Sequence, residues 1–518
     1  MNQPSDHNLS ARAARTVASK FTLQGARLLV SLIATPFIVH ALGMERYGAW
    51  LVLQQCVSYL SLFDFQAMGT LKYKLSLVQH DPDMDAKRRL VGTALRLWLY
   101  LLPIWIPVTL CLVWYSPILV PLPEAEWHAL KIAFAISAFS IILGRVLSLP
   151  ANILRGMNED FRVVLPSSAV ILLGGVLNVI AVESGYGLPG LALTVLASSL
   201  LTSSVEFTAV KKHCSWFGSA RPAAGELSSF LSLSSGVFIN SLLLLGLLSS
   251  DVILASFLIS PSDAAILGIT GAALRMLVEP FLQLLAAGNS GILGLAGKRE
   301  WKRLAAIRGE QQIVAVGLVG FLGAGIVLLN GPFVSLWLGP AFYGGVELSL
   351  ALVLLTLFTA LARTDAMFLL AIRKVNDSSW LSAIALVTSL GAAYVGAQNW
   401  GLNGLIMGLI LGRFMMYLGQ GIVVRQFLTE QAAEVSSRLP RVLLASSLVV
   451  GISWFLAPRI SVQSWTEFCL LAALCGLVST SLLIFMGYSR SDRKLFLTRF
   501  KSALGPRAWP RAPASKES

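Results

Sequence analysis

Charge is scarce in this sequence. Asp, Glu, Lys and Arg make up only 13% of the 518 residues and 56% are hydrophobic, whereas a soluble domain has about 25% charged residues. This shortage excludes an ordinary soluble protein and indicates a chain surrounded mainly by lipid. The charges that are present are unbalanced, with 40 basic and 26 acidic residues. The basic ones fall in short loops, which points to membrane topology and anionic lipids as partners rather than to nucleic acid.

Patterns that mark enzymes and metal sites are missing as well. The chain contains no P-loop (GxxxxGKS/T), HExxH, GxSxG or CxxC motif, and its five histidines lack ligand spacing. The five cysteines lie mostly inside apolar runs and indicate neither a disulfide framework nor a zinc site. We therefore expect a protein that is not an enzyme and that uses no cofactor and no metal.

Long apolar runs fill most of the chain instead. A membrane-spanning helix needs about 20 mostly apolar residues. The run 264–295 is too long for one straight span, and Pro280 predicts a kink in it. The sequence predicts an all-α membrane protein of fourteen transmembrane helices, near 21–42, 47–68, 91–114, 129–151, 162–182, 187–209, 229–250, 264–295, 309–330, 346–370, 380–397, 402–424, 441–457 and 465–486.

The loop charges predict the orientation of these helices. If the N-terminus is cytoplasmic, nearly all loop lysines and arginines lie inside, among them Arg308 before the ninth helix. The outside loops then hold only Arg46, Arg459 and, at a border, Lys131. Cytoplasmic loops are enriched in Lys and Arg, and an even number of spans places both termini in the cytoplasm.

An approximate internal repeat predicts two six-helix lobes and a terminal helix pair. A helix with Asn240, the turn ISPSDAAILG and a helix with Arg275 echo the opening hairpin and its turn LGMERYG. Transporters are commonly built from such repeats, with the substrate site between them. The predicted parts are a cytoplasmic segment 1–20, an N-terminal lobe 21–210, a cytoplasmic linker 211–228, a C-terminal lobe 229–425, the helix pair 441–486 and a basic cytoplasmic tail 487–518.

Several charged residues lie inside the predicted spans, where a charge at the bilayer centre costs about 3 kcal/mol. Such residues mark function unless their side chains reach the membrane interface. Most of them are basic, which predicts a cationic cavity for an anionic substrate, because Arg offers forked donors that match phosphate. The predicted cavity residues are Arg27, Arg275, Arg413, Arg145 and Arg363, and the predicted gate or coupling residues are Asp64, Glu279 and Asp365.

Some of these residues also have a purely structural interpretation. Arg275 and Glu279 lie one helical turn apart and could neutralise each other. Arg413 lies in a glycine-rich helix suited to close packing, where it could hold a neighbouring carbonyl. Asp64 lies near the inner end of its helix and could act as a helix-end partner.

The opening hairpin resembles the polysaccharide-biosynthesis flippases, the Wzx-type branch of a superfamily that also contains multidrug exporters. The resemblance is diffuse and covers roughly residues 15–425. It rests on ALGMERYGAWLVLQQCVSYLSLFDFQAMG at 41–69, ANILRGMNEDFR at 151–162, SDVILASFL at 250–258 and LWLGPAFYGG at 336–345.

The resemblance implies a flippase that moves a polyprenyl-diphosphate-linked oligosaccharide across the bacterial inner membrane by alternating access. The glycan would be an O-antigen, exopolysaccharide or capsule repeat unit, and a glycan polymerase or chain-length regulator would be a partner. Related flippases use arginines in helices one and eight to bind the diphosphate, and Arg27 and Arg275 match these positions. In the lipid II branch an acid accompanies the first arginine, whereas this chain has Ala26 and Leu28. The last two helices would border the lipid tail.

Two alternatives remain at the level of the sequence. A multidrug or cation antiporter of the same fold would need deep acids, and the deep arginines argue against it. A membrane-embedded glycan polymerase would need catalytic acids or a histidine-centred site on an outside loop, and these loops are short.

Overall fold

The computed structural model describes residues 6–60, 67–79, 81–157, 159–286, 289–372, 374–431 and 439–487. Only the backbone is described for residues 6–21, 232–237, 239–241, 283–286, 289–291, 375–376, 429–431 and 487. Asp64, one of the predicted gate residues, lies outside the described residues. Throughout these ranges the regular structure is helical, as predicted, and contains no strand.

The described residues contain eighteen α-helices: α1 (Asp6–Leu60), α2 (Ala67–Leu77), α3 (Met84–Leu119), α4 (Trp127–Leu147), α5 (Leu149–Gly156), α6 (Val164–Glu183), α7 (Gly187–His213), α8 (Glu226–Leu248), α9 (Asp251–Leu258), α10 (Pro261–Thr270), α11 (Ala272–Leu277), α12 (Glu279–Ala286), α13 (Asn289–Gly297), α14 (Trp301–Trp337), α15 (Gly345–Ala371), α16 (Val375–Gln431), α17 (Leu439–Leu456) and α18 (Trp465–Leu482). We call α1–α7 the N-terminal half and α8–α16 the C-terminal half. The outer end of the bundle is the end that the loop charges place outside.

Ten helical segments in the described ranges are long and apolar enough to span a membrane, and a bent pair raises this number to eleven. The predicted count of fourteen therefore stays a prediction. Two of the ten segments, Thr22–Leu60 and Asp377–Leu428, are 39 and 52 residues long. Each of these contains a backbone break and overlaps two of the predicted spans.

The break in α1 lies at Gly43, where φ is 75°. Glycine adopts this left-handed conformation without steric cost, so the predicted turn LGMERYG begins at a residue that can reverse the chain. In α16 the break lies at Trp400 and Gly401, between the predicted spans 380–397 and 402–424. Past this break, Gly404 packs against the backbone of Gly396, as expected for a glycine-rich helix.

The long run 264–295 is interrupted more often than predicted. It contains α10 to α13, and a bend of 42° separates Pro261–Thr270 from Ala272–Leu282. One interruption lies at Val278, two residues before Pro280, where a kink was predicted, and the bend after Thr270 was not predicted. Pro280 lies in the first turn of α12, where a backbone N–H has no partner within the helix, so proline removes no helical hydrogen bond there.

The main hydrophobic core joins the two halves. It includes Leu53 of α1, Phe134 of α4, Leu267 of α10 and Val327 of α14, all of which are at most slightly exposed. The terminal helices pack on the same long helix α14: Ser446 of α17 lies against Gly320, and Phe468 of α18 lies 5.9 Å from Phe333, measured between ring centroids. Helix α14 is thus the central element of the C-terminal half.

Candidate functional site

Arg27 lies on the face of α1 that turns toward the bundle. Positions 27, 31, 34 and 38 share one face of a helix because an α-helix has 3.6 residues per turn. Arg27 is exposed, whereas Ala34 and Ile38 on the same face are buried. The lipid-facing side of α1 is different and carries the exposed Ile33 and Phe37. Exposure on this face thus falls from the inner end of α1 to its outer part, and we call the space in front of this face the cleft.

The outer part of α1 closes this cleft against the C-terminal half. The Trp337 indole Nε1 donates a hydrogen bond of 2.7 Å to the Leu32 carbonyl. A Cβ atom added at Gly48 would lie 1.8 Å from the carbonyl oxygen of Pro261, so the backbones of α1 and α10 are in contact there. The two halves therefore meet between Leu32 and Gly48.

Arg275 lies just after the bend between α10 and α11. Its guanidinium Nη2 donates a hydrogen bond back to the Gly268 carbonyl, and its side chain remains exposed. In the part of the chain that the structure describes, no carboxylate pairs with Arg275. Arg27 and Arg275 are thus accessible cations from opposite halves.

Glu279 pairs with Arg363 and not with Arg275. Arg363 Nη1 lies 2.8 Å from Glu279 Oε1, and the two side chains are 44% and 38% exposed. The pair that the sequence offered, Arg275 with Glu279, is not formed, because α11 ends at Leu277 and a new helix begins at Glu279. Arg363 and Glu279 therefore form a half-exposed ion pair that does not include Arg275.

Arg413 does not face a cavity in this structure. It is only 5% exposed, and its guanidinium donates hydrogen bonds to the Thr359 hydroxyl at 3.0 Å and the Leu248 carbonyl at 3.2 Å. Leu248 is the last residue of α8, and Asp251 of the next helix adds a nearby negative charge. The structure thus shows the arrangement that the sequence left as an alternative, in which Arg413 holds a carbonyl.

The end of α8 is also held from the N-terminal half. Gln55 Nε2 donates to the Ser249 carbonyl, and the Tyr59 hydroxyl donates to the Leu245 carbonyl at 3.2 Å. The last carbonyls of a helix have no partner within the helix and must be bound by other groups in lipid. Side chains from both halves therefore meet at one broken helix.

Asp365 is completely buried in a network with α14. Arg308 makes two hydrogen bonds to its carboxylate, at 2.6 and 2.9 Å, and Gln312 adds a third at 3.1 Å. A bidentate pair of this kind fixes both charged groups. Asp365 is therefore part of a buried contact between α14 and α15.

Arg145, the remaining predicted cavity residue, is half-buried on α4. Reasoning from the sequence missed Arg308, which it placed in a loop because it began the ninth helix at residue 309. Helix α14 actually begins at Trp301. Gln312, one turn after Arg308, was the available signal, since two polar residues with this spacing share a helix face.

Comparison with protein-family models and with curated proteins gives no match. Solved structures do match. An inward-facing multidrug resistance MATE family transporter of the MOP superfamily is 18% identical, with a TM-score of 0.65, and the match covers 78% of this chain and 95% of that one. An outward-facing structure of such a transporter is also 18% identical, with a TM-score of 0.59, and the match covers 83% and 99%.

A third match is a MOP superfamily transporter from Pyrococcus furiosus, described by the reversed polarity of its binding pocket. It is 18% identical, with a TM-score of 0.57, and the match covers 83% of this chain and 99% of that one. At these identities the likeness concerns the fold alone. The chain therefore has the fold of the MATE transporters of the MOP superfamily.

Proposed function

We propose that this chain is a flippase of the bacterial inner membrane that moves a polyprenyl-diphosphate-linked oligosaccharide by alternating access. The observation that carries the proposal is the pair Arg27 and Arg275. Both are exposed, they come from opposite halves, and neither has a carboxylate partner among the described residues. Accessible guanidinium groups contributed by both halves suit a doubly charged phosphate group that binds between the halves.

The acids near the cleft support an anionic substrate. Glu279 is paired with Arg363, and Asp365 is buried against Arg308. The deep charges that face solvent are thus net positive. A diphosphate and a sugar head group require such a wet cationic path, while the polyprenyl chain can stay in lipid.

A place for an apolar chain exists at the surface of the bundle. A cavity of about 490 Å³ opens between α1, α3 and α9, and its wall is almost entirely apolar. It includes Leu112, Tyr115 and Ile253. This cavity supports a substrate with a long hydrocarbon tail, in addition to the predicted role of α17 and α18.

The second candidate function is export of a drug or other cation. The solved structures of similar fold include multidrug transporters, and Glu279 is 38% exposed. A cation exporter needs an acid that can release its partner. The Glu279–Arg363 pair would have to open for this, whereas Arg27 and Arg275 are accessible as they stand.

The first test measures transport in proteoliposomes that contain a fluorescent polyprenyl-diphosphate oligosaccharide, read out by an external quencher. Arg27→Gln and Arg275→Gln should each slow flipping about tenfold or more, because a hydrogen bond to a charged group contributes about 1.5–3 kcal/mol. Arg27→Lys should retain part of the rate, since it keeps the charge but loses the fork.

Arg96→Gln is the matched control. Arg96 is exposed on α3 and shares its lipid-facing stripe with Tyr100 and Ile104, so its removal takes away the same charge outside the cleft. Wild-type flipping by both Arg27→Gln and Arg275→Gln would contradict the proposal. Transport of a cationic dye without transport of the lipid would support the second candidate instead.

A further inference from the structure

A second cavity lies at the inner end of the N-terminal half, away from the cleft. It has a volume of about 430 Å³ and lies between the start of α6 and the end of α7. Its polar part consists of Arg162, Lys212 and His213, together with the hydroxyls of two neighbouring residues on α7. The remaining wall is apolar. The lining residues are Arg162, Val163, Pro166, Ser204, Val205, Thr208, Ala209, Lys212 and His213.

The charge at this cavity is positive. Lys212 is exposed, and no carboxylate of the described residues lies within ion-pair distance of it. Arg162 forms an ion pair with Glu159 and keeps its guanidinium 5.1 Å from the centroid of the Phe161 ring. None of the lining residues is acidic, and Glu159 pairs with Arg162 only, so the charge of Lys212 remains to attract an anion.

The cavity wall changes from charged to apolar along the bundle. Arg162, Lys212 and His213 lie at the inner ends of two spans, and Val163, Pro166 and Val205 continue the wall. Anionic lipids of the cytoplasmic leaflet are attracted to basic residues at this level. A ligand that fills the whole cavity therefore needs an anionic head and an apolar body.

We infer that this cavity binds an anionic phospholipid, with its phosphate at Arg162, Lys212 and His213 and its acyl chains against Val163 and Pro166. Basic residues in the last turn of a helix also have a simpler role, because they complement the helix dipole. Lys211 and Lys212 both serve that role. Only Lys212 lines the cavity, because the Lys211 ammonium lies 4.5 Å from the centroid of the Phe207 ring.

Lys212 provides the test variant, and the neighbouring Lys211 provides its matched control. The full-length protein in neutral detergent is titrated with phosphatidylglycerol, phosphatidylcholine with the same chains, and glycerol 3-phosphate, and bound lipid is measured by native mass spectrometry. Lys212→Gln should weaken binding of phosphatidylglycerol about fivefold, since a basic residue near the surface contributes about 1 kcal/mol. Lys211→Gln should leave it unchanged.

The comparison ligands decide between the sources of the anion. Phosphatidylcholine should bind the wild-type protein more weakly than phosphatidylglycerol, and glycerol 3-phosphate should fail to displace the lipid. Equal losses in Lys211→Gln and Lys212→Gln would overturn the site, because the attraction would then be a diffuse charge effect. Equal binding of the two lipids would show an apolar crevice only, and displacement by glycerol 3-phosphate would show a site for free phosphate. Both results would also overturn the inference.

Discussion

The arginines of the spanning helices differ in what their guanidinium groups contact. Arg413 binds the Leu248 carbonyl and the Thr359 hydroxyl, and Arg308 binds Asp365, whereas Arg27 and Arg275 are exposed and have no acidic partner among the described residues. The depth of an arginine can be read from the sequence. Its partner comes from another helix, so the sequence could identify the arginines but could not separate a cavity ligand from a structural one.

The buried pair Arg308–Asp365 leads to a stability prediction at this scale. Arg308→Met leaves a carboxylate in the interior without its charged partner, and removal of one partner of a buried pair costs about 3–5 kcal/mol. Asp365→Asn should also destabilise, because the Arg308 charge then remains buried. Thermal unfolding in detergent, followed by the loss of monodisperse protein, measures both effects as a lower midpoint temperature.

Arg303→Met provides the control for this pair. Arg303 lies on the same helix and pairs with Glu300 at 3.4 Å, but its side chain is 70% exposed. Exposed pairs contribute about 0–1 kcal/mol, so this variant should unfold near the wild-type temperature. The double variant Arg308→Met, Asp365→Leu should recover most of the loss. A wild-type midpoint for Arg308→Met would show that the pair does not stabilise the C-terminal half.

At the scale of the helices, the breaks matter as much as the spans. The break at Trp400 and Gly401 was predictable from its position between two apolar runs. The break after Leu248 was predicted to within two residues by the span 229–250, but the short helix α9 that follows it was not predicted. The residues that stabilise the end of α8 are distant in sequence, because Gln55 and Tyr59 of α1 donate hydrogen bonds to its last carbonyls. Long-range partners of this kind leave no local pattern.

The contact between α14 and α1 leads to a conformational prediction. Trp337→Phe keeps the aromatic ring but removes the Nε1 donor that binds the Leu32 carbonyl. The conformation with a closed outer end should become less populated, because the hydrogen bond from Trp337 to the Leu32 carbonyl stabilises that conformation. A cysteine at Ile38, in a background without the five native cysteines, should then react faster with a membrane-impermeant maleimide applied from outside.

Ile38 is a suitable reporter because it is buried on the cleft face of α1. Trp465→Phe is the control, since Trp465 belongs to α18, is 45% exposed and packs on Phe333. It should leave the labelling rate unchanged. Equal rates in Trp337→Phe and in the wild-type background would show that this hydrogen bond does not hold the outer end closed.

For the whole molecule, composition predicted a membrane protein and the hydropathy predicted most of its helices. The scarcity of charge and the long apolar runs correspond to the ten segments of the described ranges that are able to span a membrane. The pairing of the two halves could not be predicted this way, because every helix has a similar apolar surface. Contacts such as that of Gly48 with Pro261 depend on shape, and they place α1 against α10.

The orientation of the whole bundle gives the last prediction. Nearly all loop lysines and arginines lie on one side of the predicted helices, which should hold that side in the cytoplasm. Alkaline phosphatase, which is active only outside the cytoplasm, should therefore be inactive when fused after Gly218 and active when fused after Gln463. Green fluorescent protein at the C-terminus should fluoresce, because an even number of spans returns the chain to the cytoplasm. Active phosphatase at Gly218 would reverse the orientation, and a dark C-terminal fusion beside an inactive Gly218 fusion would require an odd number of spans.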